Sequence, residues 1–125
     1  MNIPKHIVLF PDGNRRWAKT HGLASLEGHK TGYAKLKELC RWCEDRGVKT
    51  LTAFGFSTEN WNRSPEEVSY LMKLLEDTLH LFKNDKELMD KRVKLKIIGQ
   101  KERLPESLQQ LSSEIEDYTK DNEKF

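Results

Sequence analysis

The amino-acid sequence predicts an α/β fold with a parallel sheet of about three strands and flanking helices. Three short runs, at residues 6–10, 48–56 and 93–98, have the length and the apolar or alternating pattern of strands. Segments with helical spacing of apolar residues separate these runs, and strands that alternate with helices form crossover units in a parallel sheet. The chain has 125 residues and no linker, so we expect a single domain over residues 1–125.

The first half of the chain is predicted to form two strands and two helices. The apolar run His6–Phe10 reads as a buried strand, closed by a Pro-Asp-Gly-Asn turn. A short helix is expected over Arg15–His21, because Gly22 would stop it. A longer helix is expected over Thr31–Arg46, where apolar residues recur at helical spacing. The β-branched and aromatic segment Val48–Phe56 is the second predicted strand.

The second half is predicted to start with a polar loop, Ser57–Arg63. Ser64, a following proline and Glu67 then form a capping box, which starts a helix that we expect to run into the late eighties of the numbering. Alternation over Val93–Ile98 predicts a third strand, and the spacing of apolar residues over Leu104–Tyr118 predicts a last amphipathic helix.

Charge and composition exclude several functional classes. The net charge of +2 is too small for a general nucleic-acid binder, so we expect no nucleic-acid partner. No apolar run has the length of a membrane span, and the N-terminus lacks the apolar region of a signal peptide, so we expect a cytoplasmic protein or one peripheral to a membrane. Cys40 and Cys43 are too few for a disulfide scaffold and lie on the apolar face of a predicted helix, as core residues do.

Basic residues are concentrated in the first half. Residues 1–63 carry eleven basic and six acidic side chains, whereas residues 64–125 carry eleven and fourteen. An anionic ligand is therefore expected to bind in the first half of the chain.

The segment after the first strand, residues 12–17, has the composition of a phosphate site. Gly13 permits a tight turn, the N–H groups of the following helix start favour an anion, and Arg15 and Arg16 add donors suited to phosphate. Asp12 would hold Mg²⁺, which is usually bound by one or two carboxylates together with substrate phosphates. The segment predicts a metal-diphosphate site, and the alternative is a capped turn with two solvated arginines.

Two further polar features follow. Gly28-His29-Lys30 is expected to precede the second helix, where His29 could donate to phosphate or move a proton, or could simply face water. The loop after the second strand combines hydroxyls, a carboxylate, an amide, an indole and a guanidinium at the strand end where parallel sheets bind ligands. For Trp61 the alternative is a core plug at the entry to the next helix.

Residues 6–19, 28–30 and 56–68 closely resemble the motifs of the cis-prenyltransferases, the family that includes undecaprenyl diphosphate synthase. The stretch Ile97-Ile98-Gly99, followed by Arg103-Leu104-Pro105, is similar to a further family motif. Such enzymes add isopentenyl diphosphate to an allylic diphosphate with Mg²⁺ and make a new cis double bond. The resemblance implies that activity and the fold of the N-terminal half of the family.

The resemblance also implies site residues. Asp12 corresponds to the family's essential aspartate, which positions Mg²⁺ and diphosphate, and Asn60 is the second catalytic candidate. Glu67 falls on an acidic family position for which the resemblance implies no definite role. The implied substrate-binding residues are Gly13, Asn14, Arg15, Arg16, Trp17, His29, Ser57, Trp61 and Arg63.

This sequence departs from the family pattern at several positions. Ser25 replaces a phosphate-binding Arg of bacterial members, and Tyr33 replaces a small residue beside the hydrophobic tunnel of long-chain members. The motif that holds isopentenyl diphosphate and a distal metal-sharing Glu belong to the later family region. We therefore expect this chain to supply the allylic-diphosphate and Mg²⁺ half of the site, in a homodimer or with a complementing C-terminal half. The alternatives are a non-catalytic interaction subunit or inactive fragment that pairs with a complete enzyme, and a generic phosphate-binding module.

Overall fold

The computed structural model describes residues 2–10, 13–56 and 58–125. For residues 58 and 59 it describes the backbone only. The chain divides into two compact units, residues 1–71 and residues 72–125. The expectation of a single domain over residues 1–125 stays a prediction. The strands and helices, in chain order, are β1 (His6–Leu9), α1 (Asn14–Thr20), α2 (Ser25–Asp45), β2 (Thr50–Ala53), α3 (Pro65–Asn84), α4 (Lys86–Asp90) and α5 (Glu106–Thr119), with short 3-10 helices at Thr58–Asn62 and Lys101–Arg103.

The sheet in the first unit is parallel, as predicted. β1 and β2 pair in register, with His6 opposite Thr50 and Leu9 opposite Ala53. The backbone N–H of Phe54 donates to the carbonyl of Leu9 at 3.1 Å, which continues the pairing past the end of β2. Because the two strands are parallel and end together, the segments that follow them leave from the same end of the sheet.

The contact between α1 and α2 depends on two glycines of α2 that lie one turn apart. A Cβ atom on Gly28 would lie 2.0 Å from the backbone oxygen of Asn14, and one on Gly32 would lie 2.6 Å from the Asn14 side-chain oxygen. Ala18, one turn further along α1, is fully buried. The start of α1 can therefore approach α2 more closely than any other residue at these positions would allow.

This packing corrects one prediction. α2 begins at Ser25 and not at Thr31, so that Gly28, His29 and Lys30 lie inside the helix and not before it. Glycine has a low helix propensity, which made Gly28 look like part of a helix lead-in. In the folded chain its missing side chain is required for the approach of α1, and tertiary packing outweighs the local preference.

The prediction of a third strand over Val93–Ile98 was wrong: within the described residues the sheet has two strands. The backbone N–H groups of Leu95 and Ile97 donate to side chains of α5, to Thr119 Oγ1 at 3.1 Å and to Glu116 Oε1 at 2.8 Å. The carbonyl of Val93 accepts from the Asn122 side chain at 2.9 Å. Alternate backbone groups that would pair with a neighbouring strand are thus bonded to α5 and the residues that follow it.

The remaining helices match the prediction, except that α3 ends earlier than expected. The hydroxyl of Ser64 accepts the N–H of Glu67 at 3.2 Å, as a capping box requires. α3 ends at Asn84 because Asp85 caps a separate helix, α4, by accepting the N–H of Leu88. α5 spans residues 106–119, and its stripe Leu108, Leu111 and Ile115 is buried, which confirms the last amphipathic helix.

Cys40 and Cys43 are buried in α2, which confirms that they are core residues. Burial raises the pKa of the Cys40 thiol to about 11, so the group stays protonated and unreactive at neutral pH. None of the described helices is both long enough and apolar enough to span a bilayer.

Candidate functional site

The predicted metal ligand lies outside the described part of the chain. Asp12 and Ser57 are both among the residues that the structure leaves undescribed. Among the described residues, no group of three or more His, Cys, Asp or Glu side chains could hold a metal ion. Mg²⁺ does not need such a group, because one or two carboxylates with water and substrate phosphates usually suffice. The assignment of Asp12 as the magnesium ligand therefore stays a prediction.

The turn that leads into α1 has the predicted conformation. Gly13 precedes the helix with φ +84° and ψ 2°, in the left-handed region that favours glycine. Its carbonyl accepts the N–H of Trp17 at 2.8 Å and closes the first turn. Arg15 and Arg16 follow on the exposed surface of α1. The turn thus leads into a helix whose first turn carries two exposed arginines.

Glu67, at the start of α3, brings three of the predicted site residues together. Its Oε1 atom accepts a hydrogen bond from Arg63 Nη1 at 2.8 Å and from His29 Nε2 at 3.2 Å, and it lies 3.9 Å from Arg15 Nε. The side chains of Glu67 and His29 are only 13% and 10% exposed, whereas those of Arg63 and Arg15 are 31% and 54% exposed. A nearly buried carboxylate thus contacts one nearly buried imidazole and lies beside two guanidinium groups that reach the surface.

Charge keeps this carboxylate ionised. Burial alone would raise the pKa of Glu67, but the hydrogen bonds from Arg63 and His29 and the positive charges of Arg63 and Arg15 outweigh it, and the pKa is lowered. Because an ionised carboxylate only accepts hydrogen bonds, the His29 nitrogen that faces it is the one that carries a proton. The cluster Arg15, His29, Arg63 and Glu67, called the Glu67 cluster below, therefore combines two guanidinium groups with one anion.

The segment after β2 is more ordered than the predicted polar loop. Residues 58–62 form a 3-10 helix, and the N–H of Arg63 donates to the carbonyl of Asn60 at 3.1 Å. The rings of Phe56 and Trp61 meet edge to face, with centroids 4.9 Å apart. Trp61 is half-buried in this contact, and its role in orienting substrates stays a prediction. The 3-10 helix places Arg63 directly before α3, which begins at Pro65.

Tyr33 connects α2 to the same segment. It lies one helical turn after His29, and its hydroxyl donates to the carbonyl of Gly55 at 2.5 Å. Burial raises the pKa of Tyr33 to about 12, so the phenol stays protonated and remains a donor. The bond holds the backbone after β2 against the helix that carries His29.

The other predicted site residues have separate surroundings. The Asn14 side chain packs against Gly32 of α2. The Trp17 ring stacks on His21, with centroids 4.2 Å apart, and stays partly exposed. Asn60 is half-buried within the 3-10 helix. The substrate roles of these residues stay predictions.

Glu67 is the residue that the sequence analysis did not include among the site candidates. The capping box placed it correctly at the start of α3 but suggested a local structural role. A second signal was available, because Arg63 and Glu67 are four residues apart, the spacing of a helical ion pair. The contact with His29, 38 positions away in sequence, carries no such local signal.

Comparisons with known proteins give a consistent family. A prenyltransferase family model, described as undecaprenyl diphosphate synthase, matches residues 10–125. The chain is 47% identical over 121 residues to a chloroplastic (2Z,6Z)-farnesyl diphosphate synthase of Solanum lycopersicum, with 97% of this chain and 40% of the relative covered. It is 45% identical to an isoprenyl transferase of Fusobacterium nucleatum, with 99% of this chain and 53% of the relative covered.

A solved structure shares the fold. The lavandulyl diphosphate synthase of Lavandula x intermedia, crystallised with dimethylallyl diphosphate, superposes with a TM-score of 0.85 at 34% identity and covers 95% of this chain and 50% of its own. The chain thus spans about half the length, or less, of the relatives it matches. The fold, the family model and the identity to both relatives agree, and the chain belongs to the undecaprenyl diphosphate synthase family of cis-prenyltransferases.

Proposed function

We propose that this chain takes part in cis-prenyl transfer, the condensation of isopentenyl diphosphate with an allylic diphosphate. Within that reaction it supplies the part of the site that holds the allylic diphosphate and Mg²⁺. The observation that carries the proposal is the Glu67 cluster, in which side chains from α1, from α2 and from the residue pair before α3 meet around one carboxylate oxygen.

The chemistry of the cluster suits a diphosphate leaving group. Ionisation of an allylic diphosphate accumulates negative charge on the departing oxygens, and preorganised donors stabilise that charge. Guanidinium groups such as those of Arg15 and Arg63 match phosphate geometry, and His29 is proposed to lie beside the diphosphate. Gly13, Asn14 and Arg16 are the further residues proposed to contact the diphosphate. Ser57, Asn60 and Trp61 are proposed to orient the substrates.

Magnesium has a defined place in this proposal. Asp12 would hold the ion, and Mg²⁺ when bound would neutralise charge on the diphosphate oxygens. Glu67 is not proposed as a second ligand, because its Oε1 atom already accepts from Arg63 and His29. The protein side chains would bind and orient the diphosphate, and a bound Mg²⁺ would offset more of its negative charge.

The relatives support an allylic substrate and a larger assembly. The names of the relatives are those of prenyl diphosphate synthases and an isoprenyl transferase, and the solved neighbour was crystallised with dimethylallyl diphosphate, which is an allylic diphosphate. Since those proteins are about twice as long as this chain, we propose that the site for isopentenyl diphosphate is supplied by a homodimer partner or a complementing C-terminal half.

A calorimetric titration of dimethylallyl diphosphate, with and without Mg²⁺, tests the proposal. The unsubstituted chain should bind the diphosphate only with Mg²⁺, and Asp12→Ala should lose that binding while its circular dichroism and unfolding midpoint stay unchanged. Asp117→Ala is the matched control, because it removes an exposed carboxylate from α5 in the second unit. Equal affinity with and without Mg²⁺, in both the unsubstituted chain and Asp12→Ala, would contradict the proposal.

A further inference from the structure

Glu67 poses a physical question, since a carboxylate among anion-binding side chains reduces the positive charge that a diphosphate would meet. Its Oε1 atom lies within 3.9 Å of nitrogen atoms from three residues, Arg63, His29 and Arg15. Repulsion of a nearby diphosphate is the direct cost of this arrangement. The carboxylate must therefore either oppose binding or contribute to it in another way.

The position of Glu67 is fixed from two sides. Its backbone N–H donates to the hydroxyl of Ser64, which holds the first turn of α3. Its side chain is 13% exposed, so the carboxylate has few water partners and depends on Arg63 and His29 for its hydrogen bonds. A carboxylate held this way is a rigid anchor for the groups that contact it.

We propose that Glu67 is a positioning residue: it orients the Arg63 guanidinium toward the diphosphate and does not contact the diphosphate itself. This inference rests on the proposed function. The 2.8 Å bond occupies one nitrogen of Arg63 and restricts a long side chain that would otherwise sample many rotamers. Binding then requires less ordering of that side chain, and the affinity for an anion rises.

The second anchored group is His29. Its Nε2 atom donates to the carboxylate at 3.2 Å, which fixes both the ring orientation and the nitrogen that carries the proton. Arg15 is a different case, because its Nε atom lies 3.9 Å away and its side chain is more than half exposed. With its proton on Nε2, the neutral His29 ring has only an acceptor nitrogen left and supports Glu67 without donating to the diphosphate. The positioning effect is therefore expected to act through Arg63 and not through Arg15.

Replacing Glu67 by the isosteric glutamine removes its charge and distinguishes a positioning role from simple repulsion of the diphosphate. If Glu67 only repels anions, Glu67→Gln binds a diphosphate more tightly than the unsubstituted chain. If Glu67 positions its neighbours, the same change weakens binding, because an amide is a poorer acceptor for two donors. Glu67→Asp keeps the charge and shortens the side chain, so positioning predicts weaker binding here as well, whereas a pure charge effect predicts none.

The experiment is a calorimetric titration of the full chain with inorganic pyrophosphate in the presence of Mg²⁺. We expect Glu67→Gln to raise Kd about tenfold, which corresponds to the loss of one charge-assisted hydrogen bond. Glu38→Gln is the matched control, because Glu38 also accepts from a cation at 2.8 Å but contacts Lys35 on the exposed surface of α2. Its Kd should stay within about twofold of the unsubstituted chain.

A double-mutant cycle gives a readout that a merely structural role would not produce. Arg63→Ala should weaken pyrophosphate binding, and Glu67→Gln added to Arg63→Ala should weaken it much less than Glu67→Gln alone. Thermal unfolding of each variant checks that it is folded, and Glu67→Asp replaces Glu67→Gln in the cycle if the latter does not fold.

Each outcome has a defined meaning. Tighter or unchanged binding by Glu67→Gln, or full additivity with Arg63→Ala, overturns the positioning role while the proposed function stands. Failure of the unsubstituted chain to bind either pyrophosphate or dimethylallyl diphosphate contradicts the proposed function, and the role of Glu67 falls with it.

Discussion

Glu67 in the first unit and Glu116 in the second are two carboxylates with similar immediate chemistry and different surroundings. Each accepts a hydrogen bond from a cationic side chain at 2.8 Å, Glu67 from Arg63 and Glu116 from Lys101. In each case burial raises the pKa of the carboxyl, but the hydrogen bonds and charges of its partners outweigh burial and lower it. The difference lies in the second partner, which is the His29 ring for Glu67 and the backbone N–H of Ile97 for Glu116.

The second hydrogen-bond partner of each carboxylate distinguishes a structural role from a role in a ligand site. Glu116, together with Thr119, ties the extended segment 93–98 to α5 through backbone groups, so its bonds hold the chain in place. Glu67 instead gathers side chains that originate in α1, in α2 and just before α3. An ion pair alone therefore does not mark a site; convergence of donor side chains from separate segments does.

The largest effect is expected from Gly28→Ala, which breaks the packing that brings α1 and α2 together. The new Cβ would overlap the backbone oxygen of Asn14, which cannot move as freely as a side chain. We expect the free energy of unfolding to fall by about 3 kcal/mol, as measured by urea denaturation.

Gly47→Ala is the matched control for that experiment. Gly47 has φ +80° with nothing within 4 Å, so its substitution adds only backbone strain, of about 1 kcal/mol. Equal destabilisation by the two substitutions would show that close packing at Gly28 does not hold α1 against α2.

Glu116→Ala should affect stability and leave ligand binding unchanged. It leaves the N–H of Ile97 and the ammonium of Lys101 without this acceptor, and we expect a loss of about 2 kcal/mol in the free energy of unfolding. Pyrophosphate affinity, measured by calorimetry, should stay the same. A weakened affinity would remove the functional contrast between Glu116 and Glu67.

The pH dependence of stability should reflect both carboxylates. Because each has a lowered pKa in the folded chain, its contribution is present above the unfolded carboxyl value of 4.5 and is lost as the pH falls through the folded pKa. In urea denaturation, the stability lost between about pH 5 and pH 3 should therefore be smaller in Glu67→Gln and in Glu116→Gln than in the unsubstituted chain. An unchanged acid dependence in both variants would contradict these pKa directions.

The smallest effect is expected from Gly32→Ala, which should disturb the site without unfolding the first unit. The added Cβ would meet the Asn14 side-chain amide, which can rotate away. We expect Kd for pyrophosphate to rise about threefold, in line with the partial loss of one hydrogen bond. In an Asn14→Ala background the same substitution should change Kd little, and an equal loss in that background would show that Gly32 does not act through Asn14.

Local sequence patterns predicted much of the fold and part of the site. The β-branched and apolar composition of residues 6–10 and 48–56 predicted the two strands, and the serine-to-glutamate spacing predicted the start of α3. The tight turn at Gly13 followed from its place between a strand and a helix. In each case the determining interactions lie within a few residues.

The features that the sequence did not predict depend on distant partners. Gly28 lies inside α2 because of the approach of Asn14, and Val93–Ile98 is not a strand because α5 side chains bond its backbone. Glu67 acquires its place in the cluster through His29 and Arg15, which belong to other helices. No periodicity within a single segment records such contacts.

The central claim is that residues of the first unit hold an allylic diphosphate, and amide NMR of the full chain tests it most directly. Dimethylallyl diphosphate is added with Mg²⁺ to the ¹⁵N-labelled chain, and the backbone amide shifts are followed residue by residue. The largest shifts should fall in residues 13–16, 28–30 and 60–63, with little change in residues 94–101 and 112–119. Largest shifts in residues 94–101 and 112–119, or no shifts in residues 13–16 and 28–30, would contradict it.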